Sequence, residues 1–378
     1  MSTIDQETHI FITGGSGFLG QYIIKAILER HPKWRITVLD LVPPPPALLS
    51  VIHNFHHCDI TSPSSLTTAF STCPIPPSLV FHTAGCIPSG ALRYSTSSTQ
   101  WQKVKNINYH GTQNVLSALL ASGCTRLVYT SSCTVLQDDL LNSHPNTTES
   151  IPIAGRASVH YGRSKALAES HILNPNHRKN HALLACAVRP CTLIGKGDTA
   201  VMKPMHSLIA ERSTNFILGK GDNLYDFMCV ENAADAHLLA AENLLSSNPT
   251  AAGEVFFVSN EEPVYFWDFL AAVWAGFGHV PAWRIHVPFW LALVFGFLAE
   301  MIGWVVGGGV AISRGSVRDS VRTGYADCGK ARRVLGWEPR VRLREGVKRW
   351  VEGYKEVLRE REEVKRDNGR SGSGKKER

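Results

Sequence analysis

Thr13-Gly-Gly-Ser-Gly-Phe-Leu-Gly20 limits what this chain can fold into more than any other stretch. His9-Ile-Phe-Ile-Thr13 before it is an apolar run of strand length, and Phe18 to Arg30 after it carries the spacing of an amphipathic helix. A strand that feeds a glycine loop into a helix is the first unit of a parallel α/β sheet and a cradle for a pyrophosphate. Gly14 makes the tight turn, Gly17 lets the backbone approach the phosphates, and Gly20 lets the helix pack on the strand. The helix start, with Phe18 and Leu19, offers free N–H groups and a partial positive charge to an anion. A second strand, Arg35-Ile-Thr-Val-Leu-Asp40, ends in a carboxylate 20 residues after Gly20, where an acid can bind a ribose 2′-hydroxyl. Leu41, Val42 and four prolines follow, with no cation for a 2′-phosphate, which favours NAD while leaving NADP open.

The pattern continues down the chain. A third strand runs through His56, His57 and Cys58 into Asp59-Ile60, near where an adenine edge would lie. Leu79 to Ala84 reads as a fourth strand, bringing Thr83 and Ala84 beside the cofactor. A helix from about Trp101 to Ala121 follows, then a fifth strand, Arg126 to Thr130, leading into Ser131-Ser132, and a sixth, Leu183 to Val188, before Arg189-Pro190. Strands alternating with helices predict a parallel, doubly wound sheet. Beyond residue 200 the elements shorten, as expected of a substrate-binding part. Residues 355–378 read as a charged helix end fraying into a disordered tail.

Between the fifth and sixth strands lies Tyr161-Gly-Arg-Ser-Lys165. On a helix, four-residue spacing puts tyrosine and lysine on one face. An ammonium there favours the phenolate, so the tyrosine can act as a base near neutral pH. Alone the spacing is weak; downstream of a dinucleotide loop it becomes a candidate proton-transfer pair.

Charge and thiols bound the remaining possibilities. The nine cysteines include no CxxC pair, which suits reduced thiols facing the cytosol. His53, His56, His57 and Cys58 lack a second ligand cluster, so no metal is expected. Residues 314–378 hold 20 Lys/Arg against 11 Asp/Glu, but no motif or aromatic interleaving suggests nucleic acid. The apolar stretch 287–312 just before this basic region offers another reason for the charge. It is long enough to cross a bilayer, yet Pro288, Glu300 and Gly307-Gly-Gly309 interrupt it. A core helix lining a greasy pocket, a helix lying in the membrane interface and a span are the three readings. Cations bind anionic headgroups, which favours membrane contact. Lys375-Lys-Glu-Arg378 resembles a dilysine retrieval signal of endoplasmic-reticulum membrane proteins.

The glycine loop, Asp40, Asp59-Ile60, the Ser131-Ser132 strand end and the Tyr161/Lys165 pair together resemble an extended short-chain dehydrogenase/reductase over roughly residues 8–350. Asn108-Tyr-His-Gly-Thr112, Arg189-Pro190, Leu224 to His237 and Gly253-Glu-Val-Phe-Phe257 are similar to its 3β-hydroxysteroid dehydrogenase branch. Tyr265-Phe-Trp267 and Gly278-His-Val-Pro281 look most like the decarboxylating sterol-4α-carboxylate 3-dehydrogenases within that branch. The resemblance implies a Rossmann-like doubly wound sheet with a smaller C-terminal substrate-binding part. Its implied division is 8–285 for the dinucleotide-binding domain with interleaved substrate elements, 286–312 for a membrane-associating segment, 313–354 for a helical end and 355–378 for the tail. It also implies Tyr161 as base, Lys165 as its partner, Ser132 as the hydrogen bond to the reacting oxygen, and Asn108 and Pro190 beside the cofactor. The expected substrate is a sterol or triterpenoid 3β-alcohol, met at the cytosolic face of the endoplasmic-reticulum membrane, with a homodimer or other membrane-bound sterol enzymes as partners. Coupled isomerisation, tailoring of another polycyclic alcohol and a non-catalytic dinucleotide sensor are the alternatives. Residues 86–100, rich in serine and threonine, depart from the family pattern.

Overall fold

In the computed structural model, which describes residues 8–306 and 312–373, seven parallel strands form the central sheet. They are β1 (His9–Thr13), β2 (Arg35–Asp40), β3 (Asn54–His57), β4 (Leu79–His82), β5 (Arg126–Thr130), β6 (Leu184–Pro190) and β7 (Val255–Val258). Their spatial order is β3-β2-β1-β4-β5-β6-β7, with every neighbouring pair parallel. The chain winds outward one way from β1 and then crosses to β4 and winds the other way. A crevice therefore opens at the carboxyl ends of β1 and β4, where ligands of such sheets bind.

Both faces are covered, so β1 is buried throughout. Ile10 and Ile12 point to a core shared with Ile23, Ile24 and Ile27 of helix Phe18–Arg30 and with Ala233, Ala236 and Ala240 of helix Val230–Leu245. Phe11 points to the opposite core, with Val115, Leu119, Ala168 and Ile172 from the helices on that side. The alternation follows from the two-residue repeat of a strand.

The second part is built from segments far apart in sequence. Strands Val264–Tyr265, Leu224–Tyr225, Gly324–Ala326 and His144–Thr147 pair in that order. Phe227, Phe269, Trp274 and Trp350 pack into a third core beneath them.

Three expectations change. β4 ends at His82, two residues earlier than expected, leaving Thr83 and Ala84 in the loop. The helix expected from Trp101 runs over 98–121 and contains a π-turn at Asn106–His110. Helix Leu343–Ser373 takes in residues 355–373, rich in glutamate, lysine and arginine at helix-supporting spacings. Helix Phe289–Val306 does not line a core pocket; only Ala292 and Gly296 on it are buried. The glycine run 307–309 and the dilysine-like end 375–378 lie outside the described residues.

Candidate active site

Close approach explains the glycine loop. Gly14 sits at φ +72°, and a Cβ there would lie 2.7 Å from the Ala84 backbone. A Cβ on Gly20 would come within 2.3 Å of the Gly14 carbonyl oxygen, so the helix can only start this close to the strand without one. The Gly14 N–H donates to the Leu39 carbonyl, and the Gly17 N–H to the Gly14 carbonyl. Thr83 Oγ1 donates to the Thr13 carbonyl at 2.7 Å, tying the end of β4 to the loop. Asp40 reaches back over the same loop: its Oδ2 accepts from Ser16 N–H at 3.0 Å and its Oδ1 from Leu41 N–H at 2.7 Å. A carboxylate has about four acceptor sites, so these bonds leave capacity for a ribose hydroxyl. Asp59 is turned onto its own loop, its Oδ1 accepting from both the N–H and the hydroxyl of Thr61 at 2.8 Å. Ile60 is buried against Gly111.

Behind the loop runs a buried polar chain that motif reading missed. Thr13 and His82 Nδ1 are 2.7 Å apart, and His82 Nε2 lies 2.8 Å from Thr112 Oγ1, whose hydrogen goes to the Asn108 carbonyl. That direction makes Nε2 the protonated nitrogen and Thr13 the donor to Nδ1. Burial, with Lys165 nearby, pushes the His82 pKa down to about 3, so the ring is neutral. Asn108, in the π-turn, donates to the Cys86 carbonyl at 3.0 Å and to Ser164 Oγ at 2.9 Å, while its Oδ1 accepts from Cys86 N–H at 2.7 Å. It thereby joins the segment after β4 to the helix His160–Ile172. A π-turn at a functional position is a recurrent device.

Helix His160–Ile172 presents Tyr161, Lys165 and Glu169 along one face, all buried. Lys165 Nζ donates to the Thr130 carbonyl at 2.8 Å and lies 4.8 Å from the centre of the Tyr129 ring. Burial lowers the Lys165 pKa to about 8, opposed by Glu169 one turn along. Glu169 is gripped by Arg189 through two hydrogen bonds, at 2.9 and 2.5 Å, and accepts the Ser131 hydroxyl at 2.6 Å. With Ser131 committed there, Ser132 is the hydroxyl that faces Tyr161. Pro190 sits beside it, its carbonyl accepting from Cys133 N–H at 3.1 Å.

Burial raises the Tyr161 pKa well above the ordinary phenol value; the Arg93 guanidinium opposes this most, and the Ser132 hydrogen bond adds to the opposition. Asp138 and Cys133 push the other way. The Arg93 guanidinium stands 5.7 Å from the centre of the Tyr161 ring, and the Lys165 amine donates to the Thr130 carbonyl. Arg163 is exposed and lies over the Trp101 ring at 4.3 Å. Among the described residues no group of three or more His, Cys, Asp or Glu is placed to hold a metal ion.

The close-packed glycine cradle, an acid at the end of β2, and two hydroxyls with a lysine at the end of β5 fit a nicotinamide adenine dinucleotide lying across the switch point. A protein so built is an oxidoreductase of the short-chain dehydrogenase/reductase kind. The sequence profile of the 3-beta hydroxysteroid dehydrogenase/isomerase family matches residues 11–289, and the chain belongs to that family. It is 36% identical to the decarboxylating sterol-4-alpha-carboxylate 3-dehydrogenase of Schizosaccharomyces pombe, over 90% of this chain and 97% of that one. Identity to the corresponding mouse enzyme is 29%, over 93% and 92% of the two chains. Identity to isoform 1 of the 3beta-hydroxysteroid-dehydrogenase/decarboxylase of Arabidopsis thaliana is also 29%, over 94% and 81%. Among solved structures, a UDP-glucose 4-epimerase from Thermotoga maritima superposes with a TM-score of 0.69 at 20% identity, covering 93% of this chain and all of that one. A UDP-glucuronic acid 4-epimerase from Bacillus cereus, solved with UDP-glucuronic acid and NAD, gives 0.68 at 19% identity over the same shares. At such identities the likeness is one of fold.

Proposed function

We propose that this chain oxidises the 3β-hydroxyl of a sterol bearing a 4α-carboxylate, delivering the hydride to NAD, and that the β-keto acid formed loses carbon dioxide. The observation that carries this reading is the pair of buried hydroxyls, Tyr161 and Ser132, meeting beside Pro190 at the carboxyl end of β5. Relatives named as decarboxylating sterol-4-alpha-carboxylate 3-dehydrogenases, matching along nearly the whole chain, supply the substrate class.

Bound NAD supplies the hydride acceptor. The chain's own residues handle the proton and the charge. Tyr161 Oη takes the proton from the 3β-hydroxyl. Ser132 Oγ hydrogen-bonds to the same oxygen and steadies the charge developing on it. Lys165 has three donors, of which one goes to Thr130, leaving the others for ribose hydroxyls. Gly14, Gly17, Gly20 and the amides of Phe18 and Leu19 would hold the pyrophosphate, Asp40 would hold the adenosine ribose, and Asp59, Ile60, Thr83 and Ala84 would border the adenine and ribose. Once the 3-ketone exists, the C4–carboxylate bond breaks with its electron pair delocalised into that carbonyl. The enolate then takes a proton at C4, so the step needs no further base.

The substrate is water-insoluble, and the described structure carries a suitable docking element. Helix Phe289–Val306 has a mean hydropathy of 2.0 and is only 11% buried. Its single carboxylate, Glu300, is paired with Arg314 at 2.7 Å. In our reading this helix seats the enzyme in the endoplasmic-reticulum membrane with the dinucleotide domain in the cytosol.

The test is NAD reduction and carbon dioxide release measured together, with a 4α-carboxy-3β-hydroxysterol and a 3β-hydroxysteroid lacking the carboxylate. Expected are one carbon dioxide per NADH with the first substrate and a turnover loss of about 10²–10⁴-fold in Tyr161→Phe, with NAD affinity kept. Wild-type turnover in that variant would sink the assignment of the base. An isomerised ketone without carbon dioxide would move the chain to the isomerising branch of its family.

A further inference from the structure

The segment after β4 brings a charge to Tyr161. A short helix, Gly90–Tyr94, carries Arg93, which grips Asp138 by two hydrogen bonds: Nη1 to Oδ2 at 3.1 Å and Nη2 to Oδ1 at 2.5 Å. Asp138 is fully buried and locked against the first turn of the catalytic helix. Its Oδ2 accepts the Gly162 N–H at 2.9 Å, and its carbonyl accepts both the N–H and the hydroxyl of Ser158. A Cβ on Gly162 would lie 2.6 Å from Asp138 Oδ2, so helix and carboxylate meet without slack. The Arg93 Cζ then stands 5.7 Å from the centre of the Tyr161 ring. Tyr94 donates to Asp319 at 2.5 Å, and Arg322 holds Asp319 from the other side at 2.9 Å, fixing the strap at its far end.

We propose that Arg93 is a positioning residue for the base: its guanidinium, fixed by Asp138, stabilises the Tyr161 phenolate. The inference rests on Tyr161 being the base. A guanidinium keeps its charge at every working pH, and the pairing with Asp138 reinforces it. Lys165 is less suited to the task, with one donor held by the Thr130 carbonyl, the others assigned to the ribose, and its pKa depressed by burial. The groups facing the phenol are Arg93 from the strap, Asp138 after β5, Ser132, Cys133 and Tyr129 from β5 and its end, and Lys165 from the phenol's own helix. Arg93 and Asp138 act on it in opposite senses, which gives the test its sign.

The test follows the pH dependence of kcat/KM for hydride transfer in wild type, Arg93→Met, Arg93→Lys and Asp138→Asn. Tyrosinate absorbance of each is compared with the same protein carrying Tyr161→Phe, so that the phenol is read without substrate. Removing the cation makes the phenolate harder to form. In Arg93→Met the rise of activity with pH, and the Tyr161 titration, therefore move up by about one pH unit or more, the lower end of what a neighbouring opposite charge exerts. Arg93→Lys restores most of that shift. Asp138→Asn removes the anion and moves both curves down. The double variant Arg93→Gln/Asp138→Asn covers the case in which Arg93→Met alone fails to fold, and it titrates above Asp138→Asn. An unmoved curve in a folded Arg93 variant that still binds NAD overturns the proposal, as does the same direction of shift in Arg93→Met and Asp138→Asn. Either result leaves the proposed reaction intact, since that reading fails on other outcomes: no turnover of a 3β-hydroxysterol by the wild type, no carbon dioxide released, or an active Tyr161→Phe.

Discussion

Each site residue is asked to do something its neighbours permit, and Gly20 makes the clearest case. Its missing side chain is what lets the first helical turn sit on the Gly14 carbonyl, so Gly20→Ala must push the loop and helix apart. Overpacking of this kind costs about 1–3 kcal/mol. The expected outcome is a lower urea midpoint and NAD affinity weakened at least tenfold, measured by fluorescence titration; unchanged NAD affinity would contradict the cradle. This residue could be read from the sequence, because a strand, a glycine loop and a helix in succession leave a glycine few other uses. Tyr161 and Lys165 were legible as a pair for the same local reason, a four-residue spacing on one helix. Their electrostatics were not. The acceptor that the Lys165 amine finds lies on β5, far away in sequence, and the segment that brings Arg93 to the Tyr161 ring is far away in sequence too.

At the scale of elements, helix Phe289–Val306 presents Trp290 and Trp304 at its two ends and Val294, Phe295, Leu298 and Met301 between them, all exposed. Apolar side chains so displayed have found no protein partner within the described chain. Placing two charges on that face, as in Phe295→Glu/Leu298→Glu, removes little packing within the fold. The variant is expected to stop co-sedimenting with anionic vesicles while keeping turnover on detergent-dispersed substrate, and continued sedimentation would count against the membrane reading. Length and apolarity of this element were plain from the sequence. Whether it was core or surface was not, because an apolar helix satisfies either until its neighbours are known. The π-turn at Asn106–His110 was equally hidden: Asn108 forms three hydrogen bonds to the segment after β4 and to Ser164, and local propensity carries no trace of them.

Over the whole molecule, the buried histidine behind the cofactor loop makes stability depend on pH. His82 is held neutral, with a pKa near 3 against an ordinary value of 6.5. Below the ordinary value the unfolded chain takes up a proton that the native chain refuses, so this contribution is present above about pH 6.5 and is lost as the pH falls. His82→Gln removes the titration along with its hydrogen bonds. The stability gap between wild type and variant is therefore expected to narrow by about 1.4 kcal/mol per pH unit between roughly pH 6 and pH 4 in urea unfolding. A gap that stays constant with pH would mean the ring is already charged in the fold. The sequence by itself determined the sheet, the loop and the helix bearing Tyr161 and Lys165, because strand length, glycine positions and helical spacing are local and each admits few structures. Tertiary structure alone decided the partners. Arg93 came to Tyr161, Glu169 to Arg189 and Thr13 to His82 because buried charges and polar groups must be paired wherever packing brings them together. Many pairings satisfy that demand on paper, and only the packed chain selects among them.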